Sequence, residues 1–225
     1  MTESLDLFRA TGDRGGIAVR LRILGSAVCA QGDFERASVL LEEGLALQRE
    51  VDGTYAIALS LGALALVALY QGDAERAQRL LDEAMSLFRL VSHTYGVAWS
   101  LHYLGRVAHL RRDYDQGLSL LSKSLRMRLD LADRPGMAGS LEGLAAVALA
   151  CGRPERAARL FATAATVRDA ITAPLSPAER VIIDADLEAV CACLAENAFA
   201  SAWAEGQAMT IDEAVAYALE AQAST

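Results

Sequence analysis

A short polar phrase returns along this chain at a fixed interval: QGDFERA at 31–37, QGDAERA at 71–77, RRDYDQG at 111–117 and CGRPERA at 151–157. A constant spacing of 40 residues means that one structural element is used several times, and this constrains the fold more than composition can. The alignment extends well beyond the phrase. Leu21, Leu61, Leu101 and Leu141 coincide, as do Leu24, Leu64, Leu104 and Leu144. Small residues recur at Gly25, Ala65, Gly105 and Ala145, and again at Ala37, Ala77, Gly117 and Ala157. Apolar positions step by three and four, the spacing of one helical face, so each copy reads as two antiparallel helices, 16–30 and 33–50 in the first.

The phrase itself reads as a hinge. Asp33, Asp73 and Asp113 stand where a side chain can accept hydrogen bonds from the unpaired N–H groups opening the second helix. Gly32 and Gly72 permit the turn that stops the first. In the fourth copy Arg153 replaces the cap, and Pro154 takes the first helical position, where its missing N–H costs nothing. The small residues let helix axes approach. A helix pair with one apolar face cannot bury that face alone, so the copies are expected to stack as a solenoid.

Beyond residue 172 the repeat stops. Ser176-Pro177-Ala178-Glu179 and Thr210-Ile211-Asp212-Glu213 are capping boxes, predicting helices that run to about 195 and from 211, with a short one at 198–208 between them. Their apolar residues (Val181, Leu187, Val190, Leu194; Phe199, Trp203; Ala214, Val215, Leu219) fit an element that covers the end of the array. This tail also holds the charge. Residues 1–172 carry 20 acidic and 20 basic residues, whereas 173–225 carry nine acidic residues and one arginine, Arg180. Nucleic-acid binding needs a basic face to neutralise phosphate, so direct DNA or RNA binding is not expected. The uncharged segment 53–72 is long enough to span a bilayer, but its equivalents in other copies contain Arg20, Arg22, Arg106 and Arg111, and it reads as a buried helix. Cys29, Cys151, Cys191 and Cys193 form no C-x-x-C pair, which suggests neither a disulfide framework nor zinc. Cys191 and Cys193 read as small core residues, and a cytoplasmic location is the expectation.

The pattern resembles the tetratricopeptide repeat: Leu-Gly or Leu-Ala in the first helix, then in the second Ala, a large apolar residue (Leu41, Leu81, Leu121, Phe161) and a small one (Gly44, Ala84, Ser124, Ala164). Such repeats usually span about 34 residues. HEAT or armadillo units also reach 40, but the small-residue positions favour the tetratricopeptide reading. The resemblance implies an all-α, right-handed superhelical solenoid with C-terminal capping helices. The expected organisation is a half-repeat at 1–12, four repeats at 13–52, 53–92, 93–132 and 133–172, and an acidic cap at 173–225. The leading half-repeat suggests a piece of a longer protein. The repeats and the ending FASAWAEGQAMTIDEAVAYALE resemble the C-terminal region of large bacterial signal-transduction ATPases, among them LuxR-type, AfsR/SARP-type and MalT-like transcriptional regulators. That resemblance implies a sensor or scaffold arm for a protein partner or small-molecule inducer, with ATPase and DNA-binding domains upstream. Their motifs do not occur here, so neither activity carries over.

His102, Arg106 and His109 share one helical face with Trp99, and the resemblance implies that this face lines the inner groove. Leu59, Leu66 and Tyr70 in the second repeat would add an apolar patch. Tryptophan can stack, arginine can pair with a carboxylate or phosphate, and histidine is a switchable donor. The competing reading is a solvated surface with Trp99 partly packed. His102 and His109 lack a third metal ligand at a suitable spacing, so no metal or cofactor is expected. No nucleophile, base and orienting group occur together, so no catalysis is expected. The alternative function is a helical small-molecule carrier or an enzyme using the groove.

Overall fold

Helices begin every 20 residues. The computed structural model describes residues 13–51 and 53–220, and from residue 14 to 170 it holds eight helices of 17 residues each. They are α1 (Arg14–Ala30), α2 (Phe34–Glu50), α3 (Thr54–Tyr70), α4 (Ala74–Leu90), α5 (Thr94–Leu110), α6 (Tyr114–Asp130), α7 (Arg134–Ala150) and α8 (Pro154–Ala170). Then come α9 (Pro177–Cys193), α10 (Glu196–Ala208) and α11 (Ile211–Glu220). The described residues contain no strand. The half-repeat expected at 1–12 lies outside them.

One turn geometry, built from different residues, punctuates the helices. At the end of α1, Gly32 N–H donates to Cys29 O and Asp33 N–H to Val28 O, a pairing that satisfies carbonyls left open at a helix end. The same pair of bonds closes α3 to α8 in turn. It needs a residue at positive φ. Gly32, Gly72 and Gly152 supply it at φ 90, 79 and 71°, but Ser92, Arg112, Ala132 and Thr172 adopt φ 51–63° with no glycine to ease it. The next residue opens the following helix. Asp33, Asp73 and Asp113 accept from Arg36, Arg76 and Gln116 N–H at 3.2, 2.9 and 3.2 Å, as their spacing predicts. Asp13 and Asp133 cap α1 and α7 in the same way, and Arg153 offers no side-chain cap.

The chain divides into two compact units, one of described residues up to 100 with 176–178, the other of 101–175 and 179 onward. In the first, α1 packs on α2, α2 on α3 and α3 on α4 around Leu41, Leu61, Leu64 and Phe88. Leu21 and Leu61 are fully buried, while Leu24 stays partly exposed. Small residues set the helix spacing: a Cβ on Gly25 would stand 2.7 Å from Leu41 Cγ. In the second unit Leu121, Leu141, Leu144 and Phe161 centre a core that extends into the tail through Val190, Ala202, Ala214 and Val215. A Cβ on Gly105 would stand 2.6 Å from Leu121 Cγ.

Within this second unit α10 and α11 pack on α8. Gly206 sits directly on the α8 backbone, where a Cβ would come within 2.3 Å of Arg159 O. Thr163 Oγ1 donates to Gly206 O at 2.7 Å, Arg159 pairs with Glu205 at 2.6 Å, and Arg156 donates to Tyr217 O and lies 4.3 Å from the centre of that tyrosine's ring. The capping box of α11 forms in both directions: Thr210 N–H donates to Glu213 Oε2 at 2.8 Å, and Glu213 N–H to Thr210 Oγ1 at 3.3 Å. Helix α9 departs from expectation. Val181 is 72% exposed, and Cys191 and Cys193 are exposed rather than core residues. Beyond its first turn the helix buries Ile183 and Val190, two turns apart on one face, and those three residues fall outside that face.

Candidate binding surface

One register position near the end of each second helix carries a largely buried side chain, and its partners differ each time. In the first copy Gln48 occupies it, fully buried, with its Oε1 accepting from Ser60 Oγ at 2.6 Å. In the second, Phe88 occupies it, 5.4 Å between centroids from His93. In the third, Arg128 pairs with Asp133 at 3.3 Å and its Nε donates to Ser124 Oγ at 3.1 Å. In the fourth register position Arg168 grips Glu142 through two bonds of 2.5 and 2.8 Å. Glycine makes the room: a Cβ on Gly96 would stand 2.5 Å from Phe88 ring atoms, and one on Gly136 would fall 1.6 Å from Arg128 Nη1.

In the first unit the aromatic version leaves a cavity of about 180 Å³, lined by Tyr55, Leu59, Gly62, Phe88, His93, Tyr95, Gly96 and Trp99. His93 takes the capping position that Asp13 and Asp133 hold before α1 and α7, its Nδ1 accepting from Gly96 N–H at 2.9 Å. Its ring lies 4.9 Å from Tyr55 and 6.3 Å from Tyr95 between centroids. Tyr55 and Tyr95 stand at equivalent positions of α3 and α5 and are 45% and 48% exposed. Of the residues singled out by sequence, Leu59 and Trp99 line this cavity. Leu66 and Tyr70 lie further along α3, partly buried against the core, with Tyr70 5.6 Å from the Phe34 ring. Tyr55, Phe88, His93 and Tyr95 join Leu59 and Trp99 from outside the residues that the helical spacing singles out. The 40-residue alignment carries their signal, since Tyr55 and Tyr95 coincide where the outer copies have Gly15 and Pro135.

The second unit holds the polar group. His102 is only 5% exposed, with its ring edge-on to Tyr103 at 4.6 Å and no hydrogen-bond partner for its buried Nδ1. Burial, and then the charges of Arg128, Arg106 and Arg168, hold its imidazole well below the usual histidine range. His109 is shifted the same way by burial and Arg106, and its ring packs 5.7 Å from Tyr114. Arg106 is partly exposed. Burial pushes the Tyr103 phenol up to about 12. His102 is therefore an interior residue, whereas Arg106 and His109 reach the surface. Among the described residues no group of three or more His, Cys, Asp or Glu side chains could hold a metal ion. No helix among them is long and apolar enough to cross a membrane.

Comparison with known proteins agrees with this architecture. The tetratricopeptide repeat family model matches residues 55–130 and 96–170. Two solved structures of the nearly identical TPR-like repeats of a Podosopora anserina kinesin light chain, one of them a point variant, superimpose with TM-scores of 0.50 and 0.52. Each is 18% identical, with 98% of both chains covered. A search of curated proteins finds no significant match.

Proposed function

This chain belongs to the tetratricopeptide repeat family, and from that premise we propose that it is a non-catalytic binding module whose first-helix faces receive a protein partner. Repeats of this family generally mediate protein–protein interactions, which is the broad basis of the reading. The observation that carries it is the aromatic cavity of the first unit, framed by Leu59, Trp99, Tyr55 and Tyr95. Partly exposed aromatic side chains around a concavity are the usual energetic anchors of interfaces. Leu66 and Tyr70 extend the same helix, α3, with apolar area. In the second unit Arg106 and His109 offer a cation and a hydrogen-bonding ring for polar contacts of their own.

The parent context is proposed on sequence resemblance alone. The repeats and the tail are similar to the arm of large bacterial signal-transduction ATPases, so the module would couple partner or inducer binding to a regulator's upstream domains. Panning a random peptide library against the whole chain tests the binding role. Selected peptides should protect α3 and the start of α5 from hydrogen exchange. Failure to select any binder, or protection confined to the α9–α11 tail, would contradict it.

A further inference from the structure

The cavity of the first unit is small, ringed by aromatic side chains and free of formal charge in its lining, and these properties define what it can hold. We propose that it is a socket for one aromatic side chain of the partner, a phenylalanine, tyrosine or tryptophan ring inserted between Tyr55, Tyr95 and Trp99. This rests on the binding role proposed above and specifies its chemistry.

Size decides between a ring and a free metabolite. The cavity measures about 180 Å³. An engineered cavity of about 150 Å³ lined by Leu, Ile and Phe takes up benzene, whereas sites that enclose whole drug-sized ligands run to roughly 300–1,000 Å³. One ring fits, and the rest of its carrier must lie outside, as a polypeptide would.

Charge decides between a ring and a cation. None of the eight lining residues is Asp, Glu, Lys or Arg. Nδ1 of His93 is committed as an acceptor to Gly96 N–H, which places the ring proton on Nε2 as a donor. A quaternary ammonium would find ring faces here but no countercharge, while a neutral aromatic finds edge and face partners at the spacings these rings already adopt.

Among the described copies the position takes different forms. At the same register the first copy places Gln48, bonded to Ser60, and the third the Arg128–Asp133 ion pair, which satisfies itself. Among the described residues, it is with Phe88, His93 and Gly96 that this position becomes apolar and aromatic. Gly62 completes it, because a Cβ there would stand 2.9 Å from Trp99 Cζ3 and push the indole out of the wall.

Titration of the whole chain with indole, p-cresol and tetramethylammonium, followed by NMR, tests the assignment. Indole and p-cresol should shift signals of Tyr55, His93 and Trp99 together. Tyr95→Ala, which removes a half-exposed wall without touching the core, should weaken both by about tenfold, the loss of one aromatic contact. Leu59→Trp, which fills the cavity from its own lining, should abolish the shifts. Tighter binding of tetramethylammonium than of indole would overturn the proposal in favour of a cation cage. Ring probes that shift nothing, or that bind equally well to both variants, would overturn it outright. Library peptides that bind α3 and α5 without any aromatic residue would sink the ring assignment while leaving the binding role standing.

Discussion

The six-membered ring of Trp99 lies against Gly62, so that a Cβ on the glycine would stand 2.9 Å from Cζ3 and 3.1 Å from Cη2. Glycine inside a helix is unfavourable by about 1 kcal/mol relative to alanine, so its presence in α3 needs a packing reason, and the indole supplies one. Gly62→Ala should gain that helix propensity and lose a similar amount through displacement of the ring, leaving stability within about 2 kcal/mol of the parent. In a Trp203→Phe background, Trp99 is the sole tryptophan. Its near-ultraviolet dichroism and emission maximum should both change. Unaltered spectra would mean that the indole is not seated on the glycine.

The turns offer a cleaner test of backbone strain. Gly152 sits at φ 71° and Ala132 at φ 51°, in equivalent three-residue turns, and a side chain at 152 would meet nothing within 4 Å. Only the cost of left-handed backbone separates the two, roughly 1–2 kcal/mol for an L-residue. Gly152→Ala should therefore destabilise by about 1 kcal/mol, and Ala132→Gly should stabilise by a few tenths to about 1 kcal/mol once the greater freedom of unfolded glycine is deducted. Urea denaturation of both variants reads the difference directly. Two changes of the same sign would contradict the turn assignment.

These turns also mark how far the sequence was legible. Asp33, Asp73, Asp113 and the Thr210 capping box could be read because a cap uses a small set of residues at fixed offsets. The positive φ at Ser92, Ala132 and Thr172 could not, since nothing in those residue types announces it, and only the 20-residue rhythm of the helices imposes it. The cavity was half legible. Leu59 and Trp99 lie on an exposed helical face, but Phe88 and His93 reach the site from the end of α4 and the turn after it, and no periodicity within one helix joins them. Arg128 and Arg168 look like solvated charges in sequence, yet both are largely buried because Asp133 and Glu142 come close enough to pair with them.

His102 makes stability depend on pH. Its imidazole titrates well below the usual range in the folded chain, through burial and then the neighbouring arginines, while the unfolded chain takes up its proton near the ordinary value of about 6.5. Below that pH the unfolded state binds more protons, so stability is present in full above about 6.5 and is lost as pH falls, by at most about 1.4 kcal/mol per pH unit. His109 adds a second contribution of the same sign. His102→Leu should flatten the fall between pH 6.5 and 5, where ordinary carboxylates change little. An identical slope in wild type and variant would assign the effect elsewhere.

Attachment of the tail can be tested at its tightest point. Gly206→Ala would place a methyl within 2.3 Å of Arg159 O, a backbone atom that cannot swing aside. Helix α10 must then lift from α8, weakening the Thr163–Gly206 and Arg159–Glu205 bonds at a cost of roughly 1–3 kcal/mol. Amide exchange in α10 should accelerate and the melting temperature should drop. If neither changes, the tail is held by contacts other than this one.

The most direct test of the binding role is the affinity of a library-selected peptide for the intact chain and for Trp99→Ala, measured by calorimetry alongside far-ultraviolet dichroism. Trp99 is partly exposed and lines the cavity, so its loss should leave helicity unchanged and weaken the peptide by at least tenfold. Equal affinity for both proteins, with helicity preserved, would contradict the assignment of this face as the binding surface.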